Sequence, residues 1–291
     1  MKSLIVLISN PAAKNASVKK VDLACRFLRS KGFEVEQSFT RQRGDAEVLA
    51  RDAIRKSPSL VIAAGGDGTI NEVLNGLVGS VVPMAILPMG TTNVLARELN
   101  IPEDVLGASK IAVSREPKVV SLGRISLTGQ PSRHFCLMAG IGYDGETVWG
   151  ISETLKKISG KGAYVYSGIT TLLKFSPAKL TFAVDGEMHS GYSAIIGNAA
   201  RYGGDFSVTP DARVTDPVFY VCIFKGKRRF DFLRYVFGIL TKTHLKYEDV
   251  EYLKAGKVEI SGSSHVQIDG DYFGMTPVTV EIVKDALRLV F

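Results

Sequence analysis

The sequence predicts an α/β N-terminal domain with a mainly parallel sheet and a β-rich, sandwich-like C-terminal domain, with an interdomain cleft. The 291 residues suffice for two domains of ordinary size. Up to about Pro117 strand and helix patterns alternate, as a parallel sheet requires, and beyond it strand patterns dominate. We therefore expect domains at residues 1–118 and 119–291.

The N-terminal elements alternate between short apolar runs and helical periodicity. The first helix opens at Ser17 and closes at Gly32, because apolar residues recur at helical spacing between them. The next helix stops at Pro58, and the apolar run after it is typical of a strand buried on both faces. The predicted order is strand Leu4–Ile8, the helix from Ser17, strand Phe33–Phe39, helix Asp45–Lys56 and strand Leu60–Ala64.

The C-terminal part reads as a series of strands separated by turn signals such as Thr128-Gly129 and Asp185-Gly186. Helical insertions are expected near residues 150–175 and 230–243. The predicted strands are Val119–Leu127, His134–Ala139, Leu180–Val184, Tyr192–Gly197, Phe219–Phe224, Val258–Ile260, Val278–Ile282 and Leu287–Phe291.

Composition indicates a folded protein with anionic partners. Hydrophobic residues make up 45% and charged residues 22%, and the net charge is +7. The three cysteines are far apart in apolar surroundings, which favours buried thiols over disulfides or a zinc site. No apolar run approaches the roughly 20 residues that span a bilayer. We expect a cytoplasmic protein, with peripheral attachment to the inner membrane face as an alternative.

A basic segment, Lys225–Arg229, precedes the aromatic-rich stretch Phe230–Phe237. Basic residues beside aromatic ones can dock on lipid headgroups. A solvated turn that leads into a core-packed helix accounts for the same pattern equally well. Both interpretations stay open, whereas nucleic-acid binding has no support beyond the charge.

Two glycine-containing loops follow apolar strands and open helices. In the first loop, Gly65, Gly66 and Gly68 would let backbone amides approach a phosphate at a helix N-terminus. Thr69 and Glu72 have capping-box spacing, which predicts the start of that helix. The second loop, Pro88–Asn93, has the same arrangement at the next strand end. Asp67 lies within the first loop and would sit beside bound phosphate, where a carboxylate can bind a metal ion or accept a proton.

These loops resemble the diacylglycerol kinase catalytic-domain family, which includes bacterial lipid kinases and sphingosine kinases. The resemblance extends over nearly the whole chain and implies that ATP binds at the N-terminal loops. Two positions depart from the family pattern: Lys14 where Gly is frequent, and Val94 where Asp is frequent. The implied ATP-binding residues are Asn10, Pro11, Thr40, Gly65, Gly66, Asp67, Gly68, Thr69, Asn71, Glu72, Gly90, Thr91 and Asn93.

The resemblance also implies Mg²⁺ as a cofactor and Asp67, Asp144 and Asp216 as residues near metal. From turn chemistry alone, the Gly140–Asp144 segment is more simply explained as a glycine turn with a solvated aspartate. Asp216 is followed by Pro217 where the family usually has Gly, and Tyr220 lies where a second acid often falls. Whether a structural Mg²⁺ is retained therefore stays open.

Asp269 and Asp271 flank Gly270 after the strand pattern that begins at Val266. In an extended strand their carboxylates would share one face, and one could act as general base. A hairpin turn is the alternative, and Asp185-Gly186-Glu187 offers a second segment of the same kind. The resemblance favours the later pair, with Asp271 in place of the family's usual Glu, and leaves the choice between its two acids open.

These observations together predict transfer of the ATP γ-phosphoryl group to a lipid hydroxyl, most simply diacylglycerol. Asp67, Asp269 and Asp271 are the expected catalytic residues. The expected partners are ATP and a lipid at a membrane surface, with no nucleic acid, and a homodimer is an open alternative. Two other functions compete: a soluble-substrate kinase of the NAD kinase type, and a catalytically idle module that binds lipid or nucleotide.

Overall fold

A computed structural model describes residues 3–154, 177–203 and 206–291. The chain forms two compact units. The first unit comprises Met1–Ser121 together with Lys284–Phe291, and the second comprises Leu122–Val283. Since the last eight residues belong to the first unit, the chain leaves that unit once and returns to it. The domain limits 1–118 and 119–291 and the cleft between them stay predictions.

The first unit is built on a parallel sheet with strand order β2-β1-β3-β4 and the end of β18 beside β4. Four helices of ten or more residues and one short helix connect or flank these strands. Its elements are β1 Leu4–Ser9, α1 Val18–Ser30, β2 Glu34–Phe39, α2 Asp45–Ile54, β3 Leu60–Gly65, α3 Asp67–Leu77, β4 Met84–Pro88, α4 Val94–Glu98 and α5 Val105–Ser114.

Local chemistry explains several of these boundaries. Ser17 caps α1 by accepting a hydrogen bond from the Lys20 amide, and Asp104 caps α5 through the Gly107 amide. Gly32 follows α1 with a φ of +91°, which supports the predicted helix end. Strands β3 and β4 are buried along their entire length, as expected for central strands covered by helices on both faces.

The described part of the second unit contains two large sheets of mainly antiparallel strands and a two-stranded sheet of β11 and β12. One large sheet has the order β6-β5-β18-β15-β8-β9, and the other has the order β14-β13-β10-β7-β16-β17. Its strands are β5 Pro117–Leu127, β6 Arg133–Phe135, β7 Met138–Ile141, β8 Leu180–Val184, β9 Glu187–Gly191, β10 Ser193–Gly197, β11 Arg201–Gly203, β12 Phe206–Ser207, β13 Phe219–Phe224, β14 Val250–Ala255, β15 Lys257–Ser261, β16 His265–Ile268, β17 Asp271–Met275 and β18 Val278–Val290.

One apolar core joins the two sheets. It includes Phe182 and Val280 from the first sheet and Ile196 and Val266 from the second. The rings of Phe135 and Phe219, one from each sheet, stack with centroids 5.9 Å apart. Two sheets that share a core form a β-sandwich, so the predicted fold class is confirmed.

Several predicted elements need correction. The strand predicted at His134–Ala139 is two strands, β6 and β7. The two strands predicted between Val278 and Phe291 are one long strand, β18. The helix predicted near 150–175 lies mostly outside the described residues, although α6 Tyr143–Thr154 covers its start. The second predicted insertion is α7 Arg229–Leu240, followed by a short 3₁₀ turn. Among the described residues, no helix combines the length and apolar character needed to cross a membrane.

Candidate active site

Four predicted site segments meet at one edge of the parallel sheet. Asn10, Thr40, Gly66 and Met89 each follow the carboxyl end of a different strand, β1 to β4. Backbone hydrogen bonds join these ends: the Asn10 amide donates to Ala64 O at 3.0 Å, and the Met89 amide donates to Gly65 O at 2.8 Å. This edge is the usual ligand site of an open α/β sheet.

The two glycine loops touch where a side chain would not fit. A Cβ placed on Gly90 would lie 2.6 Å from the Cα of Gly66, and one placed on Gly66 would lie 3.2 Å from the Cα of Gly90. Gly65 is equally restricted, because its Cβ would lie 2.6 Å from that of Thr69. The glycines therefore let two backbone loops approach each other at the start of α3.

Two asparagines hold the second loop in place. Asn93 is buried with a φ of +49°, and its Oδ1 accepts from the Gly90 amide at 2.8 Å. Asn15 donates through Nδ2 to Gly90 O at 2.6 Å. The sequence analysis missed Asn15, since no periodic or motif signal marks a loop residue whose partner lies 75 positions away.

Side chains of the first loop contact the neighbouring strand ends. Asn10 donates through Nδ2 to the hydroxyl of Thr69 at 3.1 Å. Thr40 is buried, and its amide donates to Ser9 O at 2.9 Å. Pro11, Gly68 and Thr91 are exposed, while Asn71 is half-buried on the first turns of α3. The structure thus places all the predicted nucleotide-binding residues at or beside this edge.

The predicted capping box of α3 is wrong. Helix α3 begins at Asp67, with Gly66 at the N-cap position and no side-chain cap. Glu72 instead accepts from the amides of Gly44 at 2.9 Å and Ala46 at 3.2 Å, at the start of α2. Within the described residues, no N-cap side chain occupies the start of α3, and an uncapped helix start suits an anion.

Asp67 is half-buried at the N-terminus of α3. Its Oδ1 lies 3.5 Å from the amide nitrogen of Leu95, at the start of α4. Burial raises the pKa of this carboxyl, and the backbone amides of residues 93–95 oppose the rise. A carboxylate with a raised pKa beside an uncapped helix start is a candidate functional group.

Asp144 is buried in the second unit, near the start of α6. It accepts hydrogen bonds from the Tyr202 hydroxyl and, at 2.6 Å, from Gln267 Nε2. Gln267 in turn accepts from the Gly270 amide at 2.7 Å. The interpretation as a solvated aspartate is therefore wrong. Burial raises the pKa of Asp144, and the hydrogen bonds from Tyr202 and Gln267 oppose the rise.

Asp269 and Gly270 form the two-residue turn between β16 and β17. Both have positive φ, +48° and +87°, so the extended-strand interpretation is wrong and the hairpin alternative is correct. The Asp269 carboxylate accepts from the amides of Cys136, Leu137 and Met138 at 2.8 to 3.0 Å. Asp271 is half-buried and begins β17.

The Asp185-Gly186 turn has the same local geometry, with φ of +47° and +93°. The Asp185 carboxylate also binds backbone amides, those of Gly256 and Lys257 at 2.8 to 3.1 Å. Glu187 follows this turn as Asp271 follows the other. The two segments are therefore a matched pair for experiments.

The three aspartates predicted near metal do not lie in one unit. Asp67 belongs to the first unit, while Asp144 and Asp216 belong to the second. Asp216 is half-buried in the turn region before β13. Across the described ranges, no three His, Cys, Asp or Glu side chains are grouped to hold a metal ion. Their metal role stays a prediction.

Two family patterns match the chain. The diacylglycerol kinase catalytic domain matches residues 4–125, and the YegS C-terminal NAD kinase beta sandwich-like domain matches residues 138–291. A glycine-loop α/β unit followed by this sandwich defines a class of kinases.

Relatives that match this chain along nearly its whole length show which kinases it is similar to. The chain is 30% identical to a diacylglycerol kinase of Bacillus subtilis (strain 168), over 93% of this chain and 90% of the relative. It is 28% identical to one of Staphylococcus haemolyticus (strain JCSC1435), over 95% of this chain and 84% of the relative. The chain therefore belongs to the diacylglycerol kinase family and is a kinase, which confirms the resemblance of its loops.

Solved structures share the fold. A protein assigned as a diacylglycerol kinase in Bacillus anthracis str. Sterne superposes with a TM-score of 0.81 at 22% identity, covering 100% of this chain and 95% of that one. A second structure, of a diacylglycerol kinase from the same organism, gives 0.73 at 19% identity, covering 100% and 97%.

Proposed function

We propose that this protein transfers the γ-phosphoryl group of ATP to the hydroxyl group of a lipid, with diacylglycerol as the acceptor class. One observation supports the nucleotide side above all: the backbone contact between Gly66 and Gly90 in front of the uncapped start of α3. The names of the relatives support the acceptor.

The first unit would bind the phosphates through backbone amides. The start of α3 supplies N–H groups and a favourable dipole, and the Gly90 loop, held by Asn15 and Asn93, would cover the nucleotide from the other side. We also assign Asn10 and Thr40 to this role from their position at the same sheet edge.

The residues fit a metal ion carried by the nucleotide. Mg²⁺ in phosphoryl-transfer sites needs only one or two carboxylates besides phosphate and water, and Asp67 at the phosphate-binding helix start offers one. Bound Mg²⁺ would neutralise charge that develops on the phosphates. Among the described residues, no three His, Cys, Asp or Glu side chains are grouped to hold a resident metal, and a structural Mg²⁺ at Asp216 stays a prediction.

The geometry favours Asp271 over Asp269 as general base. Three backbone amides donate to the Asp269 carboxylate, and such donors stabilise the ionised form and occupy its lone pairs. Asp269 would then position the turn, and Asp271 would accept the proton of the acceptor hydroxyl. The hydroxyl oxygen forms the new bond to the γ-phosphorus while the bond to the ADP oxygen breaks.

The test is ADP release by the purified full chain with Mg-ATP and diacylglycerol in mixed micelles. We expect Asp271→Asn to lower turnover at least 100-fold, the range of a lost general base, with an unchanged melting temperature. The matched variant Glu187→Gln should keep wild-type activity. Asp67→Asn should also be inactive but folded.

Several outcomes would contradict the proposal. Full activity of both Asp271→Asn and Asp67→Asn would refute the catalytic assignment. Activity lost in Asp269→Asn but kept in Asp271→Asn, at equal stability, would make Asp269 the base. The C-terminal family is named after the NAD kinase sandwich, so NAD is tested as a second acceptor in the same assay. ADP release with NAD but not with diacylglycerol would show that the acceptor is not a lipid. ATP binding without turnover on any acceptor would favour an idle binding module.

A further inference from the structure

The buried residues of helix α7 lie on one face, which packs against the second unit. Phe232, Tyr235 and Gly238 are buried on that face, and the Phe232 ring lies 5.4 Å from the ring of Tyr143. The Tyr235 hydroxyl accepts from the Gly226 amide at 2.7 Å and donates to Asp249 at 2.5 Å. These contacts attach the buried face of the helix to the second unit.

The opposite face of α7 is apolar and exposed. At 100° per residue, its five apolar side chains fall within roughly 120° of the helix circumference. The exposed fractions are Phe230 80%, Phe237 63%, Leu240 51%, Leu233 48% and Val236 39%. Phe230 is the most exposed large hydrophobic residue of the described chain. A contiguous apolar face of this kind marks an interaction surface.

Cations stand at both ends of this face. Lys227, Arg228 and Arg229 are exposed before or at its start, and Lys242 and Lys246 are exposed just after its end. Two neighbouring acids, Asp231 and Asp249, have partners within the unit, whereas Glu248 is exposed. Asp231 accepts from the Arg228 amide at 2.9 Å, and Asp249 binds Arg234 and Tyr235.

We propose that α7 docks this protein on a membrane that contains anionic lipid. Helix α7 has 12 residues and a length of about 18 Å, which suits a helix that lies in the interfacial plane. Its apolar face would enter the headgroup boundary, and the five cations would contact lipid phosphates. The inference goes beyond the proposed function, because docking requires neither ATP nor an acceptor.

Charge argues against a second copy of the chain as the occupant. If two α7 helices packed in parallel, the clusters at Lys227–Arg229 would face each other. In antiparallel packing, each cluster would face Lys242 and Lys246 of the other copy. Either arrangement brings like charges together, whereas anionic lipid neutralises both ends. Five side chains on three helical turns also offer far less than the roughly 800 Å² per partner of a stable dimer.

The experiment measures co-sedimentation of the full chain with vesicles of phosphatidylglycerol and phosphatidylcholine, and with vesicles of phosphatidylcholine alone, without ATP. We expect binding to the anionic vesicles that weakens as salt is added. The double variant Phe230→Gln, Phe237→Gln should bind at least tenfold more weakly, since two large apolar groups no longer insert.

Two further variants make the test specific. Lys227→Gln with Arg229→Gln should lower affinity for anionic vesicles by about fivefold per charge and leave the apolar face intact. The control, Val48→Gln with Leu106→Gln, removes exposed apolar side chains from helices α2 and α5 and should bind as wild type. Equal circular-dichroism melting curves would show that each variant folds.

Equal binding of the Phe230/Phe237 variant and wild type would overturn the proposal. So would a lipid-free dimer, seen by analytical ultracentrifugation, that this variant dissociates. Activity on a short-chain, water-soluble diacylglycerol separates this inference from the kinase assignment. A variant that loses vesicle binding should keep that activity, while an inactive wild type that still binds vesicles would refute only the kinase function.

Discussion

Gly90 and Gly66 approach so closely that neither position tolerates a Cβ without movement. We expect Gly90→Ala to lower the free energy of unfolding by about 1–3 kcal/mol, the cost of overpacking. It should also weaken ATP binding, because the two loops would be forced apart. Thermal unfolding with and without ATP measures both effects. Gly256→Ala is the control, since its Cβ would meet only the Asp185 carboxylate at 3.6 Å.

If Gly90→Ala weakened stability without changing the thermal shift caused by ATP, the loop contact would be structural only. If it changed neither property, the loops would be more adaptable than their geometry indicates. Gly256→Ala should change neither in any case, because an ordinary van der Waals contact with a flexible side chain costs little.

The raised pKa of Asp67 predicts a pH dependence of stability. The folded protein binds this proton more tightly than the unfolded chain, so its stability falls as the pH rises from the ordinary pKa of 3.8 through the folded pKa of Asp67. Relative to wild type, Asp67→Asn should therefore be more stable at neutral pH. The difference should shrink as the pH falls toward the ordinary value of 3.8. Urea unfolding at a series of pH values measures it.

Asp45 provides a control of opposite sign. The amides of Arg41 and Gln42 lower the pKa of its carboxyl, so ionised Asp45 stabilises the fold above the ordinary pKa and loses this effect as the pH falls. Asp45→Asn should thus be less stable than wild type at neutral pH. A more stable Asp45→Asn, or a less stable Asp67→Asn, would contradict these directions.

At the residue scale, sequence could locate the candidate acids but could not rank them. Asp185-Gly186 and Asp269-Gly270 have the same turn chemistry and the same positive φ values. They differ in which distant backbone amides each carboxylate meets, and local patterns carry no information about such partners. Asn15 was missed for the same reason.

Helices α2 and α3 are joined by the side chain of Glu72. It binds the amides of Gly44 and Ala46, which an isolated start of α2 would leave without helical partners. Glu72→Ala should lower the free energy of unfolding by about 1–3 kcal/mol, because two partly buried donors lose a charged acceptor. Chemical denaturation measures the loss.

The control for this prediction is Glu103→Ala. Glu103 pairs with Arg97 at 2.7 Å on the exposed surface, and such a pair contributes about 0–1 kcal/mol. Equal stability losses in the two variants would show that Glu72 acts through general charge and not through the start of α2.

Among the elements, long periodic segments were predictable and their partners were not. Helix α1 and strand β3 followed directly from apolar spacing. The Thr69–Glu72 spacing suggested a cap within α3, but Glu72 reaches across to α2 because its helix turn faces that neighbour. Strands β6 and β7 were read as one, since a continuous apolar pattern does not show where pairing changes.

Two compact units share one long strand, β18. Its final part belongs to the first unit, where Leu289 pairs with Met84 and the Gly79 amide donates to Ala286 O at 3.0 Å. A chain that ends at Val283 would leave the edge of β4 unpaired and lose the buried side chain of Ala286 together with three larger ones, Leu287, Leu289 and Val290. At about 1.5–3 kcal/mol for each of the larger three, the first unit should lose most of its stability.

Thiol labelling can report on each unit separately. Cys25 is buried in α1 of the first unit, and Cys222 is buried in β13 of the second. In the shortened chain we expect Cys25 to react quickly while Cys222 stays protected. A chain that lacks only Phe291 should protect both thiols. Slow labelling of Cys25 in the shortened chain would contradict the structural role of residues 284–291.

The fold class of each unit was predictable from the change of pattern near Pro117, because parallel and antiparallel sheets have different sequence rhythms. The return of the chain to the first unit was not. An apolar strand at residues 287–291 fits either unit, and only the pairing with β4 decides.

This return has a consequence for the order of folding during synthesis. Strands β1 to β4 leave the ribosome first, yet their sheet stays open on one side until the entire second unit has been made. The nucleotide-binding half would therefore remain a partly formed intermediate with an uncovered β4 edge, and edges of this kind are prone to pair with other chains. Arrested nascent chains stopped before and after residue 284 should differ in their resistance to proteolysis within residues 1–121.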